Sequence, residues 1–124
     1  MKTRKLFCAI LLSFICCGFC VHAQAATARV TNYFTVLVDP GTMKASDISP
    51  ILEAGDAVDI NLTYAPKWVD VDVGLIAPDG MFYCFSGTNG SVNDTIEITT
   101  RGKYTFAIHN NSDSEITVSG FVSY

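Results

Sequence analysis

Residues 69–86 read VDVDVGLIAPDGMFYCFS, and this stretch decides the fold. Val69, Val71, Val73 and Leu75 hold every second position, with Asp70, Asp72 and Gly74 between them. Side chains along a strand point alternately to opposite faces, so the pattern predicts a strand with one buried and one wet face. Pro78-Asp79-Gly80 predicts a tight turn: proline presets the first φ, aspartate bonds its own backbone, and glycine takes the left-handed position. Met81 to Ser86 then returns as the partner strand, which makes 69–86 a β-hairpin.

The same period of two recurs on both sides. Tyr33 to Val38 places Phe34, Val36 and Val38 on one face and ends at Asp39-Pro40-Gly41. Thr42 to Pro50 is polar and reads as a surface connection. Val58, Ile60, Leu62 and Tyr64 form the next apolar face, and Pro66 ends it because its ring has no N–H for a sheet ladder. Past Ser86, Val92, Ile96 and Ile98 mark a strand interrupted by Asp94. Tyr104, Phe106 and Ile108 mark another, Asn110 to Ser114 a loop, and Ile116 to Tyr124 a last strand. Seven to eight short strands with turns every ~8–12 residues predict an all-β fold, a single antiparallel β-sandwich of jelly-roll-like kind. No window carries helical spacing.

The N-terminal segment reads differently. Lys2, Arg4 and Lys5 precede a 16-residue apolar stretch, Leu6 to Val21, and Ala23-Gln24-Ala25 supplies a cleavage site. That is a signal peptide over 1–25, shorter than the ~18 apolar residues of a spanning helix, followed by a domain over 26–124. The mature form is therefore expected to be secreted, at the cell surface or beyond, with no membrane span. Cleavage removes Cys8, Cys16, Cys17 and Cys20 and leaves Cys84 alone, so no internal disulfide can staple the domain. Five basic and twelve acidic residues remain, a net charge of −7. Such an acidic chain lacks the clustered Lys and Arg of a nucleic-acid binder.

The order Gly55-Asp56, Val69 to Gly80, then Gly102-Lys-Tyr-Thr-Phe-Ala-Ile-His-Asn110 resembles two sandwich families. These are the bacterial pre-peptidase C-terminal domain and the GOLD domain of eukaryotic cargo receptors. Both carry an aspartate-bearing strand running into a Pro-Asp-Gly turn and a later Gly-x-Tyr strand. The resemblance spans Tyr33 to Tyr124 and implies a sandwich with a non-catalytic role. It carries over no active site.

The candidate chemistry is sparse. Asp70, Asp72 and Asp79 form a carboxylate group that would suit Ca²⁺, or an ordinary solvated strand face; no EF-hand spacing is present. Trp68 falls on the same nominal face as Asp70 and Asp72. Exposed, it would serve as a platform for a sugar or peptide; turned inward, it would cap the core, which is the expectation. Cys84 is either a free surface thiol or a small core residue, and its bulky neighbours Phe82, Tyr83 and Phe85 favour burial. His109 is the one mature histidine, and nothing in its surroundings supplies a nucleophile and an orienting group. Asn61, Asn89, Asn93 and Asn110 begin glycosylation sequons, which matter only in a eukaryotic secretory pathway. The sequence thus points to a secreted, non-enzymatic binding module with a protein or glycan partner. Its rivals are a carbohydrate-binding module built on Trp68, Asp70 and Asp72, and a structural subunit assembling through edge strands.

Overall fold

The computed structural model describes residues 29–124; the segment 1–25 read as a signal peptide, with its four cysteines, lies outside the described residues. Ten strands and no helix make up the described chain. They are β1 (Thr31–Val38), β2 (Met43–Ala45), β3 (Ile51–Leu52), β4 (Ala57–Ala65), β5 (Val71–Ile76), β6 (Phe82–Ser86), β7 (Ser91–Glu97), β8 (Gly102–Lys103), β9 (Thr105–Asn110) and β10 (Ile116–Ser123). One antiparallel sheet has the order β1-β10-β4-β7, a second β2-β9-β5-β6, and β3 pairs with β8.

The expected hairpin forms with Asp72 opposite Ser86, Gly74 opposite Cys84 and Ile76 opposite Phe82. Its turn closes with Gly80 N–H donating to the Ala77 carbonyl at 2.8 Å and Met81 N–H to Asp79 Oδ1 at 2.9 Å. Gly80 has φ +86°, the left-handed value the Pro-Asp-Gly pattern calls for.

The alternating residues of both four-stranded sheets meet in one apolar core. Val58, Ile60 and Leu62 come from one sheet and Val71, Val73, Leu75, Phe106 and Ile108 from the other. Phe34 of β1 lies against Phe106 of β9, ring centroids 5.2 Å apart, and so bridges the sheets. The arrangement is consistent with a β-sandwich.

Two stretches read as plain connections are built into the sheets. Within Thr42 to Pro50, β2 pairs with β9, and the chain beyond it stays bonded to the same neighbourhood: Phe106 N–H donates to the Ile48 carbonyl and Tyr104 N–H to the Pro50 carbonyl. Strands of two or three residues carry no readable period, which is why the sequence concealed them. Asn110, read as loop, is the last residue of β9 and is fully buried. Its Nδ2 donates to the carbonyls of Val38, Asp39 and Ser114, while its Oδ1 accepts from the backbone N–H and the hydroxyl of Ser112. A buried amide satisfied on both sides ties the end of β1 to the β9–β10 loop.

Candidate functional site

The end of the domain where β4, β6 and β9 finish is a rim of connected loops. Residues 66–70 link β4 to β5 and follow a cis Ala65–Pro66 peptide. Tyr64 N–H donates to the Gly90 carbonyl, Gly87 N–H to the Val71 carbonyl, and Asn111 N–H to the Asp70 carbonyl, so the 66–70 loop is bracketed by its two neighbours. Asn110 extends the chain of contacts to the β1–β2 turn.

Trp68 stands on this rim with 81% of its surface exposed. The expectation that it caps the core is overturned. Pro66 ends β4 two residues earlier, which takes Trp68 out of the alternation, and Val69 packs against the core from that stretch instead. Asp70, two residues on, is also exposed. Asp72 sits one step into β5, where Oδ1 accepts from the Ser86 hydroxyl and Oδ2 from Asn111 Nδ2, both at 2.9 Å.

The three carboxylates considered for Ca²⁺ are not gathered at one point. Asp72 lies at the start of β5 and Asp79 in the turn past its far end, a run of about 20 Å at ~3.3 Å per residue. Asp79 is engaged locally, accepting from Met81 N–H and from the Tyr83 hydroxyl at 3.2 Å. Among the described residues, no group of three or more His, Cys, Asp or Glu side chains is placed to hold a metal ion.

One row across the second sheet places Ser86, Asp72 and His109 side by side. The order is wrong for nucleophilic catalysis. A base must stand between the nucleophile and the orienting acid, whereas here the Ser86 hydroxyl donates to Asp72 and His109 lies on the far side.

Cys84 is exposed, not buried. Alternation separates the two faces of β6, and Phe85 takes the inward place; Cys84 points outward opposite Gly74, which has no side chain to cover it. Partial desolvation, and secondly the Asp72 carboxylate, hold its thiol above the usual cysteine range, so it stays protonated and weakly nucleophilic near neutrality.

Two further features escaped the sequence. Tyr33 and Phe121 lie opposite each other on the outer face of the first sheet, centroids 5.5 Å apart, although 88 residues separate them in the chain. At the end opposite the rim, a cleft of about 290 Å³ opens between the sheets, lined by Leu75, Tyr83, Ile98 and Tyr104. Of its polar lining, Asp79 and Tyr83 are bonded to each other and the Thr100 carbonyl accepts from Tyr104. No protein-family model matches the chain, and no curated protein matches it in sequence.

Proposed function

We propose that the chain is a secreted, non-enzymatic binding module of jelly-roll sandwich architecture, and that the Trp68 rim is its ligand surface, with carbohydrate as the ligand class. Four nested antiparallel pairs support the architecture: β1 with β10, β2 with β9, β4 with β7, and β5 with β6. The Tyr104 hydroxyl donating back to the Thr100 carbonyl at the entry to β9 is the tyrosine-corner contact of Greek-key sandwiches. The likeness to pre-peptidase C-terminal and GOLD domains belongs to the same proposal, since its residues fall on β5, its turn, and β8–β9.

The observation that carries the functional reading is the 81% exposure of Trp68 on a rim whose backbone is bonded to its neighbours on both sides. An indole face offers a large contact area at little entropic cost, and it stacks against the C–H face of a pyranose while nearby Asp70 and Asn111 offer partners for its hydroxyls. The Ser86–Asp72–His109 order argues against hydrolysis of whatever is bound.

Pull-down on insoluble cellulose, chitin and mannan, alongside an array of soluble glycans, tests this. Retention on at least one, abolished in Trp68→Ala with an unchanged thermal melt, is the expected result. Retention that survives Trp68→Ala moves the site elsewhere.

A further inference from the structure

Of the four edges of the two four-stranded sheets among the described residues, β1 stands apart. A sheet edge offers unpaired N–H and C=O groups, and proteins blunt it with charge, proline, bulges or brevity. β2 is three residues long and carries Lys44; β6 is five residues long; β7 carries Asp94 and Glu97. β1 runs eight residues, TNYFTVLV, with no charge, proline or glycine, and among the described residues pairs without a bulge along its whole length with β10 alone. It also bears exposed apolar bulk: Tyr33 is 78% and Leu37 53% exposed, both on the outer face.

We infer that β1 is a self-association edge, pairing antiparallel with β1 of a second copy across a two-fold axis. The argument for a second copy rests on charge and on register. The mature chain is strongly acidic, and β1 itself carries no carboxylate, so pairing along it sets no carboxylate of the strand against another, while Lys44 and Asp47 beside it are of opposite charge. Side chains facing each other across an antiparallel pair share a face, so outer residues must meet outer residues. Centring the axis on Thr35 satisfies this. It sets Tyr33 of each copy against Leu37 of the other, and Phe34 against Val36, so each exposed apolar group gains an apolar cross-strand neighbour. The result is one continuous eight-stranded sheet. Because β1 ends at the loop rim, antiparallel pairing directs the two rims to opposite ends of the dimer; it would bridge two ligand sites rather than grip one.

Sedimentation of the Cys84→Ser chain over a range of concentrations tests the pairing free of adventitious disulfides. A mass rising to twice that of the monomer is expected. Thr35 is exposed, so Thr35→Lys should leave the monomer's thermal melt, read below the concentration of association, in place while two lysines facing each other at the axis restore the monomer at higher concentration. In the same background, Thr35→Cys should yield a covalent dimer on mild oxidation, since facing Cα atoms sit ~4.5–5.5 Å apart, within disulfide reach. Trp68→Ala should dimerise as the parent does, which separates this inference from the proposed ligand site. A monomer at every concentration, or a dimer indifferent to Thr35→Lys and not captured by Thr35→Cys, overturns it.

Discussion

Gly80 and Asn110 concentrate the fold's local demands. Gly80 needs its positive φ but no space: a Cβ there would meet nothing within 4 Å. Gly80→Ala therefore isolates the backbone cost of a left-handed residue, ~1–2 kcal/mol, and urea melts should show that loss without a change in slope. Asn110 is the reverse case, in which conformation is ordinary and partners are everything. Asn110→Ala removes the buried amide donor of the Val38 carbonyl and strips the Ser112 hydroxyl and N–H of their acceptor, and a buried orphan costs ~1–3 kcal/mol. The same melts should place Asn110→Ala below Gly80→Ala; equal midpoints would mean water replaces the amide freely. The turn glycine was legible because its neighbours, Pro78 and Asp79, demand it. Asn110 was not, because five polar contacts converge on it from segments up to 72 residues away.

At the scale of elements, alternation disclosed the long strands β1, β4, β5, β9 and β10 with their inward faces, but not the inward face of β6. Nor could it disclose pairing across a sheet. Exposure of the Cys84 thiol follows from its outward face and from Gly74 standing opposite with no side chain, a pairing that no local period encodes. Trp68 escaped for a related reason, since the alternation that would bury it stops at Pro66. The β5–β6 hairpin also has a pH signature. The bond from the Tyr83 hydroxyl to Asp79, foremost, together with the charge of that carboxylate, holds Tyr83 above the ordinary tyrosine range. A group whose folded pKa is raised stabilises fully below its unfolded pKa and loses that contribution as pH rises through the folded value. In a Cys84→Ser background, which removes the thiol's similar alkaline contribution, stability should decline above about pH 10. Tyr83→Phe should flatten that decline, as read from thermal midpoints across alkaline pH; an unchanged slope would mean the hydrogen bond does not persist in solution.

The whole domain is held by its shared core. Among the described residues Cys84 is the only cysteine and it is free, so reducing agents should leave the melt of the 26–124 domain unaltered. The dispersal of Asp70, Asp72 and Asp79 predicts that chelation with EDTA leaves it unaltered as well. A native-state ligand at a hundred times its Kd would add ~2.7 kcal/mol, which is several degrees or more of midpoint in a domain this size. A fall of that order on chelation, absent in Asp72→Asn, would show a metal site that these carboxylates do not form here. Carbohydrate recognition at the rim is tested most directly by the intrinsic fluorescence of Trp68, the chain's single tryptophan. In the free protein its emission should be that of a water-exposed indole, and titration with oligosaccharides of the polysaccharide retained in pull-down should shift it to shorter wavelength with saturation. Free emission typical of a buried indole, or saturable binding with no spectral change, would contradict a ligand surface centred on Trp68.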